Sequence, residues 1–106
     1  MLPKVGKVWD GYSGRRLCVV VNGRISERLR GPIVGTILYG RVHAGREAGC
    51  VVATLDGRFL RAGVGGCILA SVSDDEVLDG IDGPLLARFD GSVETGLAGA
   101  AFILAL

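Results

Sequence analysis

The sequence predicts an all-β domain built as a short right-handed β-solenoid of about six 17-residue coils, and three observations carry that reading. Gly40-Arg41-Val42 repeats as Gly57-Arg58-Phe59, and Gly49-Cys50-Val51-Val52-Ala53-Thr54-Leu55 repeats as Gly66-Cys67-Ile68-Leu69-Ala70-Ser71-Val72, both at a spacing of 17. The same register divides residues 6–106, without an insertion, into six rows beginning at Gly6, Gly23, Gly40, Gly57, Asp74 and Gly91, the last one residue short. Read down the rows, the twelfth column is Leu17, Val34, Val51, Ile68, Leu85, Phe102 and the sixteenth is Val21, Leu38, Leu55, Val72, Phe89, Leu106, all large and apolar. A constant coil length with one strand always in the same place is what lets each coil lie in register on the one before.

Each row is justified by its strand and its turn. Between the two apolar columns the fourteenth is Val19, Thr36, Ala53, Ala70, Ala87, Leu104, mostly small, so alternate positions make one buried stripe with a narrow middle. Asn22-Gly23, Asp56-Gly57 and Asp90-Gly91 mark row junctions, where a positive φ is cheapest for glycine or Asx. No run keeps a 3.6-residue period for ten residues without interrupting glycines, so no helix is predicted. Asp74 to Asp79 is too short for one and ends at Gly80. Leu97 to Leu106, apolar throughout, reads as a buried final strand and falls short of the ~20 residues a helix needs to span a bilayer. The Asx-Gly pairs recur every 34 residues, which supports an alternative: a three-fold β-prism or β-trefoil of 34-residue units, since Asx-Gly between apolar alternations is a strong hairpin signal.

The pattern of Gly, short strand and Gly from Gly6 to Leu106 resembles two glycine-rich β-helix families, the bactofilins and the glycine-rich repeat domain at the end of glutamate synthase. In the three-fold alternative, Leu55-Asp56-Gly57-Arg58-Phe59 followed by Cys67-Ile68-Leu69-Ala70-Ser71 resembles a repeat of the monocot mannose-binding lectins. That resemblance implies a Gln-x-Asp-x-Asn-x-Val-x-Tyr sugar site, of which only Asp56 and Asp90 stand here, with Thr54, Arg58, Leu60 and Ala62 in the other places of the first copy.

Composition bounds the rest. The 106 residues make one domain, 1–106, with 18 glycines, six aromatic residues and enough apolar content to exclude a disordered tail. Cys18, Cys50 and Cys67 form no CxxC pair and leave an odd thiol, and Met1-Leu2-Pro3-Lys4 opens no signal peptide, so a reduced, cytoplasmic setting is expected. Stacked coils would place Cys50 and Cys67 about 4.8 Å apart, within disulfide reach, although buried small hydrophobes is the preferred reading. The net charge of +1 is split unevenly, +7 over residues 1–61 and −6 over residues 62–106.

No catalytic, cofactor or metal residue is assigned. The single histidine, His43, has no second ligand at metal spacing. Gly11-Tyr12-Ser13-Gly14 lacks the spacing of a nucleophile elbow, and Gly63-Val64-Gly65-Gly66 lacks that of a dinucleotide loop. Asp74, Asp75, Glu76, Asp79 and Asp82 read as a solvated acidic loop, because an EF-hand counted from Asp74 would have Asp79 and Leu85 where glycine and a ligand are needed.

Two function classes follow. Column 13 should be polar on a half-buried strand, yet it contains Val52, Leu69, Leu86 and Ile103, which predicts an apolar oligomer interface on a self-associating, non-enzymatic structural or scaffold protein. The alternative is a lectin-like ligand-binding module. Lys7, Arg24, Arg41 and Arg58 share column 2 and form a candidate anion-binding edge for a polyanion. On a solenoid the two charged halves would lie at opposite ends and favour end-to-end assembly.

Overall fold

In the computed structural model, which describes residues 5–46 and 49–106, a 17-residue row is two antiparallel strands and not one coil. The rows supply in turn β1 (Val5–Asp10) and β2 (Arg16–Val21), β3 (Arg24–Ser26) and β4 (Ile33–Leu38), β5 (Arg41–Ala44) and β6 (Val51–Asp56), β7 (Phe59–Ala62) and β8 (Ile68–Ser73), β9 (Glu76–Asp79) and β10 (Leu85–Phe89). Every neighbour pairs antiparallel, and β10 pairs back onto β1 through Val8↔Phe89, so five rows close a ten-strand barrel. The solenoid is thereby overturned, as are the three-fold prism and trefoil.

The physical reason lies in the first strand of the rows, only three or four residues long in rows two to five. Arg24-Ile25-Ser26 and its counterparts present a single large inward residue, too little alternation to read as a strand. That residue is Val8, Ile25, Val42, Leu60 or Val77, each completely buried. The turns are five-fold as well. Tyr39-Gly40 and Asp74-Asp75 turn the chain between the Asx-Gly junctions, with Tyr39 at φ 51° and Asp74 at φ 54°, so the 34-residue alternation is one of composition only.

Cross-strand pairs show where the gap-free register slips. Val8↔Cys18, Ile25↔Gly35, Leu60↔Ala70 and Val77↔Ala87 lie ten residues apart, whereas Val42↔Ala53 spans eleven. One extra residue in the β5–β6 connection thus moves every later row by one column. Columns 14 and 16 face the lumen in the later rows as Ala53, Leu55, Ala70, Val72, Ala87 and Phe89; in the first row the lumen residues are Cys18 and Val20. A one-residue shift exchanges the faces of a strand, so column 13 is not a single face.

Each row also carries a β-bulge at the same place. The ladder steps from Val8↔Cys18 to Trp9↔Arg16, from Ile25↔Gly35 to Ser26↔Ile33, from Val42↔Ala53 to His43↔Val51, from Leu60↔Ala70 to Arg61↔Ile68 and from Val77↔Ala87 to Leu78↔Leu85. The residues passed over are Leu17, Val34, Val52, Leu69 and Leu86, and all five pack, half-buried, against the core. A bulge bends its strand and re-aims a side chain, which is how five large aliphatics join the core from positions that simple alternation would turn outward. Their carbonyls tie one row to the next: Val34, Val52, Leu69 and Leu86 accept from the amides of Gly45, Gly63, Gly80 and Gly11 at 2.9, 3.0, 2.9 and 3.1 Å. The last of these bonds links row five to row one.

The sixth row is a helix, α1 (Val93–Leu104), where a buried strand was expected. It runs inside the barrel, touching β1, β2, β6, β7, β8, β9 and β10, and every residue from Thr95 to Ala101 is buried. Ser92 takes the N-cap position and Glu94 places a negative charge in the first turn, where the helix dipole favours it. Glycine is unfavourable in a helix in water, but the lumen demands it: a Cβ on Gly96 would meet the Phe89 ring at 2.6 Å, and one on Gly99 would meet Val8 at 2.7 Å. Among the described residues no helix is long and apolar enough to cross a membrane.

This packing reverses the usual sign of a helix substitution. Gly99→Ala, worth about 1 kcal/mol of stabilisation on helix propensity, is expected to destabilise the barrel by about 1–3 kcal/mol through overpacking against Val8. Urea unfolding of the two proteins checks it, with a lower midpoint expected for the variant.

Candidate functional surface

Because the rows follow one another around the axis, charge is distributed around the wall and not from end to end, which corrects the expectation of oppositely charged ends. Row five, β9 and β10 with their turns, carries Asp74, Asp75, Glu76, Asp79, Asp82 and Asp90 against Arg88 alone. It lies between row four and row one.

The two sides of the barrel use their charges differently. Arg58 makes a two-pronged contact with Asp82 at 3.1 and 3.2 Å and lies 4.7 Å from the Phe59 ring. Arg61 Nε donates to Asp56 at 2.8 Å, and Arg88 lies 3.3 Å from Glu76 and 3.7 Å from Asp75. These account for the ion pairs among the described residues, and all their cations belong to rows four and five. Rows one to three contribute Lys7, Arg24 and Arg41 from alternate strands, Arg16 from the start of β2, and Arg15, Arg28, Arg30 and Arg46 from connections. All eight are exposed, and none has a carboxylate partner among the described residues.

The expected anion-binding edge therefore divides. Lys7, Arg24 and Arg41 stand near the tight-turn end of β1, β3 and β5, but Arg58 is held by Asp82. A strand intervenes between each pair, so the cations are about 9.6 Å apart and not one strand spacing. The same geometry separates Cys50 and Cys67, which precede β6 and β8 with β7 between them; both are free and exposed, where buried positions were expected.

Val52, Leu69 and Leu86 occupy bulges against the core, while Ile103 is 36% exposed on α1, so the structure does not gather the four on one open face. Ile103 has different company: Leu104 and Leu106 are 39% and 37% exposed beside it, where α1 ends. Sequence reasoning missed Leu104 and Leu106 because it read both as core-facing strand residues.

Two clefts flank the plug. One of about 520 Å³ opens at the start of α1 and is lined by Val5, Val20, Ile37, Ser92, Glu94 and Thr95. The other, about 550 Å³, has Leu17 and Phe102 as apolar lining beneath Arg15, Arg16 and Arg28, with Asp10, Ser13 and Glu27. Asp10 is committed to its own turn: Oδ1 accepts from the amides of Tyr12 at 2.8 Å and Ser13 at 2.9 Å. The Ser13 amide first, then that of Tyr12, holds its carboxyl below the usual carboxylate range.

His43 Nδ1 lies 2.9 Å from the Gly49 carbonyl, which makes the ring part of the β5–β6 connection. Asp90 Oδ1 accepts from the Lys7 amide at 2.6 Å, so both aspartates that match the lectin pattern, Asp56 and Asp90, are engaged within the chain. Among the described residues no three His, Cys, Asp or Glu side chains could hold a metal ion. Comparison of the chain with family models, curated proteins and solved structures found no match.

Burial pushes the Cys18 thiol up to about 12 and the lumen seals it off. A thiol reagent at neutral pH is expected to label Cys50 and Cys67 rapidly and Cys18 only at the rate of unfolding, as counted by mass spectrometry. The lowered Asp10 pKa stabilises the fold above the ordinary carboxylate range, an effect lost as pH falls through the folded value. Asp10→Ala should therefore lower the urea midpoint at neutral pH, and by less once the carboxyl is protonated.

Proposed function

We propose that this chain is a non-catalytic, self-associating interaction module that docks by the end of the barrel at which α1 emerges. The observation that carries the reading is the exposure of Ile103, Leu104 and Leu106 together at that end. Phe102 and Leu17 continue the apolar surface inward, and Arg15, Arg16, Glu27 and Arg28 surround the adjoining cleft. An apolar centre with a polar, charged rim is the anatomy of a protein interface. A second copy suits it, since a two-fold contact brings the same apolar centre from both partners and lets rim cations of one face rim carboxylates of the other.

The filled lumen supports a surface role. α1 occupies the space in which a larger barrel holds a ligand, so binding takes place on the ends and the wall. Sedimentation over a concentration series tests the proposal. The native chain is expected to dimerise in the micromolar range, about −8 kcal/mol, and Ile103→Lys with Leu104→Lys to shift the midpoint at least about tenfold, about 1.4 kcal/mol, with unchanged circular dichroism. A native chain that stays monomeric at every concentration overturns it.

A further inference from the structure

We infer that the wall formed by rows one to three is a binding surface for single-stranded nucleic acid. This inference stands apart from self-association, because Lys7, Arg24, Arg41 and Tyr39 lie toward the tight-turn end, away from Ile103 and Leu104, while Arg15, Arg16 and Arg28 border both surfaces. It starts from the unpaired cations. Lys7, Arg24 and Arg41 project from alternate strands of one wall, about 9.6 Å apart, Arg16 opens β2, and the connections of the same rows add Arg15, Arg28, Arg30 and Arg46. None is neutralised by a carboxylate among the described residues, although the chain carries nearly as many acids as cations. The acids are concentrated in row five. Asp10, the acid nearest Arg15 and Arg16 in sequence, is spent on the amides of its own turn. A surface of this kind raises the local concentration of a polyanion and gains from release of that polyanion's counterions.

Two tyrosines identify the class of polyanion. Tyr12 is 81% exposed in the β1–β2 connection, and Tyr39 is 99% exposed at the β4–β5 turn, so both lie in the basic rows with their rings in solvent. Tyr39 also adopts φ 51°, a left-handed conformation that costs a bulky residue free energy glycine or asparagine would not incur. An aromatic ring held at that cost, with nothing packed on it, provides a platform on which a base can stack. Aromatic platforms beside a positively charged track are the mode of single-strand binding. A duplex offers no open base faces to such rings, and α1, the one helix among the described residues, is enclosed in the barrel and cannot enter a groove.

The experiment is fluorescence anisotropy of a labelled oligothymidylate about 15 nucleotides long, titrated with the native chain and with two variants. Native binding is expected to weaken roughly 100-fold between about 50 and about 200 mM salt if about five phosphates are contacted. Lys7→Glu with Arg24→Glu and Arg41→Glu should abolish binding at the lower salt. Tyr39→Gly should weaken binding by about 5- to 100-fold, the range of one lost stacking contact, while its thermal midpoint stays level or rises because the strained turn is relieved. A purely structural role for Tyr39 would lower both. No binding at low salt overturns the inference. So does a Tyr39→Gly variant that binds as tightly as the native chain, which would reduce the wall to a general anion surface. Equal or tighter affinity for a duplex of the same length, or cation-dependent association of the chain with itself and not with the oligonucleotide, overturns it as well.

Discussion

A closed barrel of ten strands encloses more space than its own inward side chains fill, since eight strands already make an interior just wide enough for that. Everything else in this fold depends on how the excess is occupied. The sixth row leaves the repeat, enters the lumen as α1 and contributes small residues where the wall comes closest. The wall answers with small residues of its own. Ala53, Ala70 and Ala87 are fully buried, and Gly35 leaves space for Leu106, which a Cβ there would meet at 2.7 Å. Larger side chains, Ile25, Leu60 and Val77 among them, are also completely buried. Native density requires this alternation of large and small, because a void loses contacts and an overfilled site forces strain.

The bulges solve a second problem that closure creates. A barrel wall must curve continuously, and an extra residue at one level of every row bends each long strand by a similar amount. The bulged carbonyls point to the following row and find glycine amides there, so curvature and row-to-row cohesion come from one device. Thr36 and Thr54 add hydroxyl bonds to the carbonyls of Gly45 and Gly63, and Ser71 accepts from the Asp82 amide, at 3.1, 2.6 and 2.9 Å. These hydroxyls bring three of the connections back onto the wall of the row before.

With the interior filled and the wall pinned, chemical individuality is confined to the outside. There the rows cease to be equivalent. Row five is acidic and shares its charges with Arg58 and Arg88, while rows one to three hold exposed cations in solvent. Exposed pairs of this sort contribute little to stability. The segregation of charge is therefore a property of the surface, not a support of the fold.

Sequence alone determined the 17-residue spacing of its similar segments, the all-β character of five of the six rows, the Asx-Gly turns at three row junctions and the unequal charge. These are local facts, carried by spacing and residue type. It could not determine that a row holds two strands, because a three-residue strand such as Arg24-Ile25-Ser26 has one apolar residue and no visible alternation. Nor could it place the slip between Val42 and Ala53, since a single extra residue in a connection leaves the composition of each column almost unchanged while exchanging the faces. The identity of α1 was least legible of all. Gly96 and Gly99 argue against a helix in water, and Phe102 to Leu106 continue the strand columns of the earlier rows. Only the closed wall, with Phe89 and Val8 projecting into the space those glycines leave, makes a helix the structure that satisfies its own backbone inside an apolar lumen.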